Sequence, residues 1–219
     1  IKEILKTKEA KGKVDFQEKG NVDEYGFTEM RNEMLRATNT DWFIMVDGDE
    51  VWWEDSIGKI EHMIRKTGDN YNSFISPYYS LVGDIYHYQS SITGRYKIDE
   101  YSGHISIRAI NRKNLPSLYF AKPHGQQGLY YGNDKLIQDG PKERRKYIDA
   151  PYLHFTNNQR SQDRKGDASV PKRSIKFKHE LGMSFPSDFY YPEVFFKPRP
   201  QIVPSVWQKA DYKYKIKSL

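Results

Sequence analysis

The run Asp41-Trp42-Phe43-Ile44-Met45-Val46-Asp47-Gly48-Asp49-Glu50 decides how this chain is read. Its apolar centre, residues 42–46, is too short for an independent helix and reads as a buried strand. Two aspartates one residue apart follow at once. In open α/β sheets, ligands gather beyond the carboxyl ends of strands. Carboxylates that close repel each other unless something compensates. A divalent cation removes the conflict. Mg2+ and Mn2+ prefer hard oxygen ligands, and Mg2+ typically takes one or two carboxylates together with substrate phosphates. Gly48 lets the backbone bend and a ligand approach. A solvated acidic turn is the plain alternative. The apolar strand before it and Trp52-Trp53 after it weigh against that.

Outward from this run the chain alternates helical and extended patterns. Upstream, Met30, Met34 and Ala37 share one face of an amphipathic helix, with Thr28 as its expected N-cap. Residues 13–16 read as a short strand, and residues 1–5 as the end of a helix. Downstream, Asp55-Ser56 is the expected cap of a second helix, with Ile57, Ile60 and Ile64 on one face. Residues 73–82 read as a strand, with Pro77 marking an edge or bulge. Residues 104–110 alternate, Ile105 and Ile107 facing one way and Ser106 and Arg108 the other. This order predicts an α/β fold. Pro198, Pro200 and Pro204 make the last stretch extended.

The whole chain has 219 residues, enough for one domain with an appendage. It has no cysteine, which excludes disulfides, thiolate catalysis and sulfur-based zinc sites. The net charge is +6, unevenly spread. Residues 1–154 hold 22 basic and 23 acidic side chains, whereas residues 155–219 hold 13 and 6. Basicity therefore belongs to the C-terminal third, where phosphate, nucleic acid or anionic lipid is the expected partner and a solvated surface the plain alternative. With no long apolar segment and no signal peptide, we expect a cytoplasmic chain, peripheral at the inner face of the membrane.

Three mechanisms suit the acidic cluster. A calcium-binding helix-loop-helix fails, because glycine stands between the two aspartates. A haloacid-dehalogenase-like phosphatase would use Asp47 as nucleophile. That motif normally opens its domain, whereas 46 residues precede it here. Gly83-Asp84 also lacks the second acid such an enzyme needs. The third is a sugar transferase whose metal bridges a donor diphosphate. A basic nucleic-acid-binding module, suggested by the stretch 172–178, leaves the acidic cluster unexplained.

Arg31-Asn32-x-x-Leu35-x-Ala37-Thr38, followed by the run 41–50, resembles the core of family 2 glycosyltransferases. The likeness is specific over residues 28–65. It continues more loosely through Arg108 and Tyr152-Leu153-His154-Phe155. It implies a GT-A fold, a Rossmann-like mixed sheet flanked by helices, over residues 1–154. Residues 155–219 would be a basic extension packed on the same domain. It also implies that the chain lacks the first nucleotide-binding strands of that fold.

By the same resemblance, Asp47 and Asp49 would hold Mg2+ or Mn2+ on a nucleotide-diphospho-sugar, with His154 added to the metal shell. Arg31 and Asn32 would lie near the donor nucleotide, and Glu50 would orient the metal-binding carboxylates. The acceptor would be a glycan or a lipid-linked sugar, and transfer would be inverting. Its proton acceptor is left between His124 and Asp134, since Gly125 stands where an acid is expected. Trp52, Trp53, Tyr78, Tyr79, Tyr86 and Tyr88 read either as an acceptor platform or as core. Arg160, Arg164 and Lys165 would meet phosphate or an anionic membrane.

Overall fold

A computed structural model describes residues 2, 4–8, 10–158, 182–199, 201 and 203–210. The α/β expectation holds as a mixed sheet with two helices. The elements begin with α1 (Glu24–Ala37), β1 (Trp42–Ile44), β2 (Glu50–Trp52) and α2 (Glu54–Thr67). Then come β3 (Ser73–Val82), β4 (His87–Tyr88), β5 (Tyr96–Ile98), β6 (Tyr101–Gly103) and β7 (Ile105–Asn111). The remainder are β8 (Tyr119–Ala121), β9 (Gly128–Tyr131), β10 (Lys135–Leu136), β11 (Arg145–Tyr147), β12 (Tyr152–Asn157) and β13 (Met183–Ser184). Among the described residues no helix is long and apolar enough to cross a membrane.

The main sheet runs β1-β7-β3-β12-β2. β3 and β12 are parallel, while β1–β7, β7–β3 and β12–β2 are antiparallel. Residues 45–49 join strands at opposite ends of this path. Four interstrand gaps in a flat sheet would span ~19 Å. The Glu50 N–H donates to the Asp47 carbonyl at 3.0 Å, which closes a turn. Three extended steps plus such a turn reach only about 17 Å. The sheet therefore curls, and its curl brings the acidic turn over the ends of the central strands.

Burial follows the pleat. Ile75, Ile105, Ile107 and Ile110 face one core with Leu35 of α1 and Phe120, and Phe74 and Ala109 face another with Ile60 of α2. A third core joins Trp53, Leu81 and Leu153 to Phe185 and Tyr191 from the C-terminal segment. β12 runs through residues 154 and 155, so the expected division between 154 and 155 falls inside a strand.

Several local expectations are corrected. α1 starts at Glu24, where Asp23 caps it by accepting the Gly26 N–H at 2.7 Å. Thr28 is instead buried inside the helix, its hydroxyl donating to the Lys122 carbonyl at 2.7 Å. Met34 is 63% exposed, and Leu35 takes the inward position. Residues 13–16 form no strand, and Ile4–Lys6 is a single 3-10 turn. α2 is capped by neither Asp55 nor Ser56. The distant Glu193 carboxylate accepts the Glu54 N–H at 2.9 Å. Pro77 sits in central β3, not at an edge. It falls where β11 has ended and β12 has not yet begun. There the Ile148 carbonyl accepts from Ala150 N–H at 2.8 Å, so Pro77's missing donor leaves no gap in the ladder.

Candidate functional site

The acidic turn follows β1 and leads directly into β2. A Cβ added at Gly48 would meet no atom within 4 Å, so packing does not demand glycine there, and the space over the turn is open. Strand geometry brings the rest of the site in. β12 pairs His154 with Glu50 on one side and with Ser80 on the other. The Phe155 N–H donates to the Asp49 carbonyl at 2.8 Å, which locks the turn to β12.

Arg108 arrives through an irregularity. Phe74 pairs with Ala109 and Ile75 with Ile107, so Arg108 is the extra residue of a β-bulge in β7. Bulges re-aim side chains, and this one turns a guanidinium toward the acidic turn. Arg108 Nη2 forms an ion pair with Glu50 Oε1. Its Nη1 donates to Asp47 Oδ2 at 3.3 Å, and its Nε to the Tyr152 hydroxyl at 3.2 Å. Burial alone would lower its pKa, but Tyr152, Glu50 and Asp47 together hold it above the usual value.

Arg31 reaches Asp47 from the other side and ion-pairs with its Oδ1. The guanidinium is held between rings, 5.2 Å from the Phe27 centroid and 5.6 Å from that of Phe120. Both oxygens of Asp47 thus face arginines. Like-charge repulsion in the turn is relieved by Arg31 and Arg108, which spacing along the sequence did not reveal.

Asp49 points to a different partner. Its Oδ2 lies 3.4 Å from His154 Nε2. Tyr78 stands edge-on to the His154 ring at 5.1 Å and stacks on Tyr152 at 5.3 Å, while Trp52 stacks on the far side of Tyr152 at 4.5 Å. Glu50 is buried, and desolvation raises its pKa against the opposing pull of Arg108. Burial likewise pushes the Tyr78 and Tyr152 hydroxyls up, so both stay protonated donors at neutral pH.

The other expected site residues are distributed as follows. Both ends of the Asn32 amide bind the Phe120 backbone, Nδ2 donating to the carbonyl at 3.0 Å and Oδ1 accepting the N–H at 2.7 Å. His124 rests edge-on against Phe27 at 4.5 Å, and its N–H donates to the Glu24 carbonyl at 3.1 Å. That hydrogen bond is made by the His124 backbone; Phe27 lies one turn of α1 before Arg31, and Glu24 about two turns before it. Asp134 lies between β9 and β10 and accepts from the Tyr119 hydroxyl. Of the six aromatics, Trp53 and the partly buried Tyr79, Tyr86 and Tyr88 pack in one hydrophobic core; Trp52 packs against the Ile60 core and stacks on Tyr152, and Tyr78 stands against His154 and Tyr152. Arg160, Arg164, Lys165 and residues 172–178 lie outside the described residues.

Arg108 and Tyr152 were missed as a linked pair. The available signal was an arginine within the otherwise uncharged strand Ile105-Ser106-Ile107-Arg108-Ala109-Ile110. Among the described residues, no group of three or more His, Asp or Glu side chains gathers as a metal cage. Asp49 and His154 offer one hard oxygen and one imidazole nitrogen on the same side of the turn, a donor set that suits Mn2+ and leaves coordination positions for phosphate oxygens. No family model matches the chain, and no curated protein matches it.

Proposed function

We propose that this chain is a metal-dependent glycosyltransferase of GT-A architecture. It moves a sugar from a nucleotide-diphospho-sugar to a glycan or lipid-linked acceptor with inversion. The observation that carries the reading is the Asp49–His154 pair at 3.4 Å, beside an Asp47 carboxylate clamped by two arginines. A divalent cation held by Asp49 and His154 would supply Lewis-acid neutralisation of the leaving diphosphate. Arg31 and Arg108 fix the turn, so its carboxylates need no rearrangement as charge develops. Tyr78, edge-on to His154, and Trp52, stacked on Tyr152, are the proposed platform for a sugar. His124, which rests on Phe27 one turn of α1 before Arg31, is the proposed proton acceptor.

A phosphatase reading asks Asp47 to attack phosphorus. Both of its oxygens are engaged by cationic donors, which lowers their nucleophilicity. Thermal unfolding with Mn2+ and a panel of nucleotide sugars, phosphate esters and single-stranded nucleic acids tests the proposal. Stabilisation by a nucleoside diphosphate that requires Mn2+ and disappears in Asp49→Ala supports it. A metal-independent, salt-sensitive response to nucleic acid overturns it.

A further inference from the structure

The C-terminal segment builds a surface that the transferase reading does not use. Tyr190 and Phe196 are each 61% exposed, Val194 52% and Trp207 37%. The three rings are contiguous. Tyr190 stacks on Phe196 at 6.2 Å, and Phe196 meets Trp207 at 5.4 Å. The patch is also anchored to the fold. Trp53 Nε1 donates to the Tyr190 carbonyl at 2.9 Å, Glu193 caps α2, and Lys197 ion-pairs with Glu54 at 2.6 Å. Such a contiguous apolar patch, held in place and facing water, marks a docking surface.

We propose that this face docks on an anionic lipid bilayer. Three observations select that occupant. Phe196 and Val194 are exposed side chains with no polar group, of the kind that inserts among acyl chains. Tyr190 and Trp207 are the amphipathic types that settle at headgroup depth. Arg199 and Lys209 accompany the patch in sequence, within a C-terminal third of 13 basic and 6 acidic residues. Apolar rings that insert, joined to cations that bind lipid phosphates, give the two signals that stable peripheral binding needs. The inference stands independently of the sugar-transfer reading.

Co-sedimentation of the intact chain with phosphatidylcholine vesicles, with and without phosphatidylglycerol, tests it. The expected result is binding only to the phosphatidylglycerol vesicles. Arg199→Gln and Lys209→Gln should each weaken it roughly fivefold. Phe196→Ser should weaken it at least as much while leaving the melting temperature unchanged, since that ring is largely exposed. Equal binding to neutral vesicles, indifference to Phe196→Ser, or self-association through this face in the absence of lipid would each overturn the proposal. Because no nucleotide is present, failure here leaves the transferase reading untouched.

Discussion

Arg108 and Glu50 form an ion pair in which the carboxylate side chain is fully buried and the guanidinium only 9% exposed. An arginine at a bulge in β7 thus neutralises the first residue of β2, two strands beyond β3 in the sheet path. Removing one partner strands the other's charge in a dry interior. Arg108→Met should therefore cost about 3–5 kcal/mol of stability. The double variant Arg108→Met/Glu50→Gln should recover much of that loss. Urea denaturation of the wild type, both single variants and the double gives the coupling directly. Additive losses would mean that the pair does not interact.

The same burial predicts a pH dependence. Desolvation raises the Glu50 pKa from the usual 4.5, so near that value the folded state binds the proton more tightly than the unfolded chain. Stability supplied by the protonated form is complete below the unfolded value and falls as pH rises through the folded one. Other carboxylates titrate in the same range, so the informative quantity is a difference. Subtracting the stability of Glu50→Gln from that of the wild type should leave a curve that declines above pH ~4.5 and then levels. A rising curve would show that Arg108 outweighs burial.

The strand 73–82, the two helices and the acidic turn were legible in the sequence because each is set by local pattern. The helix caps were not. Glu193, which caps α2, lies 139 residues from Glu54, and no local spacing encodes such a partner. The placing of Asp47, Asp49 and His154 followed from motif and resemblance. What compensates the carboxylates did not. Arg31 and Arg108 meet Asp47 across separations of 16 and 61 residues, and Arg108 does so through a one-residue bulge that alternation cannot foresee. Pro77 looked like an edge marker because its neighbour's interruption at 148–151 is visible only once β11 and β12 are both paired to β3.

Asn32 offers a separate test of role. Its amide both donates to and accepts from the Phe120 backbone, clipping α1 to β8. Asn32→Ala leaves both Phe120 groups without this partner and should cost about 1–3 kcal/mol. If Asn32 acts only as a clip, nucleotide affinity measured at a temperature where the variant is folded should change little. A large loss of affinity with unchanged stability would instead place Asn32 on the donor.

Asp47 and Asp49 stand one residue apart but should fail in different ways. Asp47→Ala strips a counterion from Arg31 and Arg108, whose side chains are 18% and 9% exposed. It should lower stability by about 1–3 kcal/mol with or without metal. Asp49→Ala removes a group paired with His154 rather than with two arginines, so it should lower the metal-free melting temperature less than Asp47→Ala does. Its effect should emerge with Mn2+. At a free ion concentration near a hundred times the dissociation constant, the wild type should gain about 2.7 kcal/mol. For a chain of this size that is roughly 5–10 °C in melting temperature. Asp49→Ala should lose nearly all of this gain, and His154→Gln a large part of it. Scanning calorimetry of the four proteins with and without MnCl2 separates the two aspartates. Equal destabilisation by both substitutions, with no Mn2+ response in the wild type, would make the turn a purely structural feature.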